Sequence, residues 1–226
     1  MKFKNILFGV LKTLLLVVVF YSSSLYASYM YLDLGSHQPR SFPPYFFESN
    51  QETGNLIKVI DTQNNFQFKT YNLTLQVDIE EYNAEVRPVL LEWKKTVAPF
   101  GTDANSSADL SKGIARSIEM HLEIDPPPME VYVATYKGNI ESVSYIKNTR
   151  LQIPEIDTIV ANPEGLIEGQ TTIVKGGGSA LLEHMIKTYK EAGTEEIQLY
   201  SGNDQYYAQR GWEMKLENKI DEACGM

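Results

Sequence analysis

Residues 175–192 read Lys175-Gly176-Gly177-Gly178-Ser179-Ala180-Leu181-Leu182-Glu183-His184-Met185-Ile186-Lys187-Thr188-Tyr189-Lys190-Glu191-Ala192, and Gly193 follows. Leu181, Leu182, Met185, Ile186 and Tyr189 fall on one face at helical spacing, so the pattern predicts a helix over 179–192 that stops at Gly193. Glycines at a helix start let backbone approach a phosphate closely, and the unpaired first-turn amides point at an anion along the helix dipole. Two phosphate motifs are excluded. A P-loop places its Lys after the glycines, whereas Lys175 precedes them. A dinucleotide fingerprint needs a small residue where Leu181 stands and a strand directly before the glycines. Taken alone, the three glycines remain open between an anion cradle and a flexible connection.

Ahead of the glycines, a β-rich run at 156–161 ends at Asn162-Pro163, and a loop from Glu164 leads to Lys175. Downstream, 196–200 reads as another strand. Upstream, Val131–Tyr136 and Ile140–Ile146 flank Lys137-Gly138-Asn139, the clearest hairpin signal in the chain. Further back, Leu73, Leu75, Val77 and Ile79 alternate, which predicts a strand over 71–82. A helix is expected from about Asn83 to Val97 with Pro88 in its first turn. A second helix, capped by Ser107 or Asp109, is expected to run to about Glu123 with Leu110, Ile114, Ile118 and Leu122 inward. Pro126-Pro127-Pro128 stops it. Residues 28–55, with Pro43-Pro44 among Phe42, Tyr45, Phe46 and Phe47, read as an irregular wrap. His121 and His184 read as surface residues without partner motifs.

The order strand, glycine loop, amphipathic helix, strand, then Tyr206-Tyr207-Ala208-Gln209-Arg210-Gly211-Trp212 resembles the GNAT acetyltransferase superfamily. Gly176-Gly177-Gly178-Ser179-Ala180 matches its pyrophosphate loop, and Tyr206-Tyr207 with Gly211-Trp212 matches its later aromatic segment. Gly202-Asn203-Asp204 resembles a shorter variant of that segment. The likeness spans about 71–226 and departs at Ile173, where the family usually has Gln or Arg. It implies an α/β (α+β) fold, with a mixed, mostly antiparallel central sheet flanked by helices. It also implies acetyl-CoA as cosubstrate, without a metal. The pyrophosphate would then rest on Gly176, Gly177, Gly178, Ser179, Ala180 and Asn203. Gln170, Thr171, Thr172 and Lys175 would serve as replacement donors. The pantetheine would pair along Ile159, Val160 and Ala161 like an added strand. A backbone amide there would polarise the thioester carbonyl. The amine attacks directly in a ternary complex, and Tyr207 matches the Tyr that protonates the departing thiolate. Glu155 and Asp157 precede or open the strand where family bases often lie, and the reading that either first invites is a solvated carboxylate. The implied acceptor is a small-molecule amine or a protein Lys.

The composition of the 226 residues narrows the alternatives. With 20 Lys+Arg against 29 Asp+Glu, the net charge of −9 argues against a nucleic-acid partner. One Cys, Cys224, excludes an internal disulfide, and three scattered His offer no metal cluster. Lys2 and Lys4, an apolar stretch over 6–20 broken by Lys12, and small residues to Ala27 follow the order of a secretory signal peptide. The expected organisation is therefore a signal peptide or membrane anchor at 1–27, an aromatic and Pro-rich extension at 28–70, and the acetyltransferase-like domain at 71–226. The chain would be secreted, periplasmic or anchored through 6–20, or cytoplasmic if translation starts at Met30. Acetyl-CoA is a cytosolic metabolite, so a non-catalytic secreted or envelope-associated interaction module on the same scaffold stands as the alternative. A membrane-anchored acyltransferase with another donor is a third.

Overall fold

The structure is a computed structural model that describes residues 28–123, 129–147 and 153–214. The apolar stretch at 1–27 and Cys224 lie outside the described residues, and among those described no helix is long and apolar enough to cross a membrane. Nine strands are described: β1 (Ser28–Asp33), β2 (Tyr45–Ser49), β3 (Leu56–Ile60), β4 (Gln67–Asn72), β5 (Met129–Tyr136), β6 (Asn139–Lys147), β7 (Glu155–Ala161), β8 (Glu196–Ser201) and β9 (Glu213–Met214). Five helices accompany them: α1 (Gln76–Glu85), α2 (Arg87–Trp93), α3 (Asp103–Leu122), α4 (Gly177–Glu191) and α5 (Asp204–Ala208). The main sheet runs β4-β5-β6-β7-β8-β1-β9, and β2 and β3 form a separate hairpin. β4 to β7 are antiparallel, whereas β7 and β8 are parallel across the α4 crossover. This is the mostly antiparallel, helix-flanked sheet that the resemblance implies.

The described residues form two compact units, residues 31–200 and a smaller one combining 28–30 with 201–214. In the larger unit the hairpin β5–β6 is central. Lys137 and Gly138 both adopt positive φ, 50° and 83°, the backbone a two-residue turn requires. Strand alternation then separates two layers. Val131, Val133, Val143 and Tyr145 join Tyr82, Val86, Leu90, Trp93, Ile114 and Ile118 from α1, α2 and α3 in one core. Tyr132 turns to the opposite face, toward Tyr189 and His184 of α4. Each fully buried aliphatic side chain in these layers contributes about 1.5–3 kcal/mol.

Four expectations are corrected. The predicted strand over 71–82 is a strand ending at Asn72 followed by helix α1. The alternating Leu75 and Val77 do not mark a buried face, because they are 49% and 58% exposed. The helix expected over 83–97 is divided at Val86, and Pro88 sits in the first turn of α2, where its missing N–H costs nothing. α3 begins earlier, capped by Thr102 whose Oγ1 accepts from the Asn105 amide, and its buried face carries Ser107, Ser111, Ile114 and Ile118 while Leu110 is exposed. The irregular wrap expected over 28–55 instead supplies β1 to the main sheet and, in β2, one arm of the hairpin with β3.

That N-terminal stretch is fastened to α4 by polar contacts. Glu183 Oε1 accepts from the Arg40 amide at 2.9 Å and lies 3.0 Å from His37 Nε2, and Lys190 Nζ donates to the His37 carbonyl at 2.9 Å. Tyr45 and Lys175 exchange backbone hydrogen bonds at 3.2 and 2.8 Å, so residues 43–45 lie against the start of the glycine turn.

Candidate active site

β7 and β8 pair only at Glu155↔Gln198 and Ile156↔Leu199. The two strands therefore part after two residues, and residues 157–161 of β7 have no ladder partner in β8. On the other side β7 remains paired to β6 through Val143↔Val160 and Ser142↔Ala161. The Val160 and Thr158 carbonyls also accept from Ser142 Oγ at 2.6 Å and Ser144 Oγ at 3.1 Å. Because backbone groups alternate in direction, Ile159 and Ala161 face the open edge and Val160 faces β6. Val160 is thus removed from the expected pantetheine edge. The Ala161 carbonyl already accepts from Ser107 Oγ of α3, leaving its amide and the backbone of Ile159 for a ligand.

The glycine turn is built from packing as much as from openness. Gly176 caps α4 with φ of 100°, and a Cβ there would lie 3.3 Å from the Tyr45 ring and 3.4 Å from the Pro43 carbonyl. At Gly177 a Cβ would meet Glu141 Cβ at 3.1 Å and its carbonyl oxygen at 3.2 Å. Gly178 is roomier, with Ala161 Cβ at 3.6 Å and Ser142 Oγ at 3.8 Å. The Ala180 amide closes the first helical turn on the Gly176 carbonyl at 2.9 Å, so it is not an anion donor. The amides of Gly177 and Gly178 have no partner among the described residues. Ser179 is partly buried beside them. Lys175 directs its Nζ onto the Gly165 carbonyl within the loop, and burial lowers its pKa. Gln170 and Thr172 are bonded to each other.

The remaining predicted residues separate clearly. Asp157 pairs through Oδ1 with Lys147 Nζ and accepts from Thr158 Oγ1 at 3.0 Å, which occupies it as a salt-bridge partner. Glu155 accepts from Gln198 Nε2 at 3.2 Å across the two-pair ladder. In the smaller unit Asn203 caps α5, its Oδ1 accepting from the Tyr206 amide at 3.2 Å, so it serves the helix. Tyr207 packs edge-on against Trp212 at 5.8 Å and Tyr206 at 5.0 Å, and burial pushes its phenol up to about 12. His121 has a partner after all, with Nδ1 2.9 Å from the Tyr145 hydroxyl, and His184 stacks on Phe68 at 4.1 Å.

One group escaped the sequence reading. Glu141 is only 7% exposed, and burial raises its carboxyl to about 7. The signal was its place two residues before Val143 and four before Tyr145, in phase with the buried face of β6. Among the described residues no group of three or more His, Cys, Asp or Glu is placed to hold a metal.

No family model and no curated protein matches the chain. Solved structures with low similarity include a tandem GNAT protein from the clavulanic acid biosynthesis pathway, at 14% identity and a TM-score of 0.45, covering 84% of this chain and 50% of that one. A GCN5-related N-acetyltransferase from Kribbella flavida aligns at 12% identity and a TM-score of 0.40, covering 88% and 60%. An aminoglycoside acetyltransferase from an uncultured soil metagenomic sample, in complex with sisomicin, aligns at 15% and 0.33, covering 64% and 82%. The chain thus spans 50% and 60% of the length of the first two.

Proposed function

We propose that the chain is an acyltransferase that moves an acetyl group from acetyl-CoA to an amine. The single observation that carries this reading is the parting of β7 from β8, which leaves Ile159 and Ala161 on an open edge just ahead of a glycine-started helix. Such an edge takes an extended, amide-bearing ligand as it would another strand. When bound there, acetyl-CoA would supply an activated acyl carbonyl. The outward amide on β7 would polarise that oxygen, and the Gly177 and Gly178 amides would receive an anionic group at the helix start. Tyr207 would give its proton to the leaving thiolate, a role carried over from the resemblance and suited by a phenol that stays protonated at neutral pH.

The test is Tyr207→Phe assayed by thiol release with an amine acceptor. A fall in kcat of about 100-fold with unchanged acetyl-CoA affinity is expected. Equal kcat in the variant would remove Tyr207 from the chemistry.

A second reading, a non-catalytic interaction module, is favoured by the way Pro43 and Tyr45 fill the space beside Gly176. It expects no acetyl-CoA binding.

A further inference from the structure

A cavity of about 540 Å³ opens where α2, the start of β6 and the loop after β7 meet. Its walls include Phe46, Trp93, Tyr136 and Ile140, and Glu141 and Asn162 form its polar end. Glu141 is more than nine-tenths buried. Its Oε2 accepts from Asn162 Nδ2 at 3.2 Å, while Oε1 has no partner among the described residues. A carboxylate oxygen that no protein donor meets, on a residue of such low exposure, takes its hydrogen bond from water or from a ligand in the cavity.

The other charged groups lining the cavity sharpen the choice of ligand. Glu164 adds a second negative charge, which together with burial favours the protonated form of Glu141. Lys137 is the cation lining it, and its Nζ is held 3.7 Å from Asp61 Oδ2 and over the Tyr136 ring. The Tyr136 hydroxyl donates to the same Asp61, so its proton is committed outside the cavity. The local balance is therefore negative, the available oxygen is an acceptor, and the surrounding walls are aromatic. An anion is disfavoured here. A positive nitrogen with an apolar body satisfies each feature, because an ammonium donates to carboxylate and is attracted to aromatic faces.

We infer that this cavity is a binding site for an organic ammonium ion, held by Glu141 Oε1 and flanked by Trp93, Phe46 and Tyr136. The inference is independent of acyl transfer, and its test contains no acyl donor. The full chain is titrated calorimetrically with 2-phenylethylammonium and with 2-phenylethanol, its neutral counterpart, at pH 6 and pH 8. The ammonium is expected to bind about tenfold more tightly at pH 8, since it must meet ionised Glu141, and to release protons at pH 6. The alcohol should bind more weakly and without pH dependence. Glu141→Gln should abolish the preference for the cation and its pH dependence. Glu164→Gln, at an exposed position, should keep the fold and weaken cation binding by a smaller factor. Titration with N-acetyl-lysine amide separates a protein side chain from a free amine as the source of the ammonium. Equal binding of amine and alcohol, or a cation preference that survives in Glu141→Gln, would overturn the proposal.

Discussion

Carboxylates on and around β6 and β7 show how environment, rather than residue type, decides what an acid does. Asp157 sits beside Lys147, and Glu155 accepts a neutral amide, whereas Glu141 is largely buried with a single hydrogen bond, from Asn162. Burial lifts Glu141 to about 7, so between pH 4.5 and 7 the folded chain holds a proton that the unfolded chain has released. Its contribution therefore weakens as pH rises through that window and is fully unfavourable above it. Glu141→Gln removes the slope. Urea unfolding at pH 5 and pH 8 should show the variant gaining about 2 kcal/mol on the wild type at the higher pH. Parallel stability curves would mean that Glu141 is solvated and ionised throughout.

At the scale of elements, the glycine turn combines structural and chemical demands that alanine substitutions separate. Gly176→Ala forces a side chain into a positive φ against Tyr45, and Gly177→Ala drives one into the Glu141 backbone. Each should lower stability by about 1–3 kcal/mol. Gly178→Ala meets only ordinary contacts and gains helix propensity, so it should be neutral or stabilising by up to about 1 kcal/mol. Thermal melting of the three variants reads this order directly, and a lowest Tm for Gly178→Ala would contradict it. The hairpin, β7, α4 and β8 were legible because their periodicity and turn residues agree with the fold. α1 was not, because among its described residues only Tyr82 is buried and its neighbours happen to alternate. β1 was hidden because its partners β8 and β9 lie far along the chain, and the local β2–β3 hairpin was masked by Pro43-Pro44 ahead of it. The open edge at Ile159 and Ala161 was legible only through the resemblance, and Glu141 became visible once α2 and the loop after β7 enclosed it.

Across the larger unit, the N-terminal stretch and α4 are one construction. His37 and Glu183 meet across 146 positions of sequence, and Tyr45 and Lys175 exchange both backbone bonds, so what precedes the sheet also shapes the turn beside its open edge. The same arrangement leaves two amides at Gly177 and Gly178 and an unpaired stretch of β7, while the aromatic segment closes around Trp212 in the smaller unit. The proposed function turns on whether this open edge accepts a CoA thioester. Calorimetric titration of the full chain with acetyl-CoA at pH 7.5 tests it most directly. A micromolar dissociation constant, about −8 kcal/mol, is expected. No heat of binding up to about millimolar acetyl-CoA, weaker than roughly −4 kcal/mol, would contradict it and leave the scaffold without its donor.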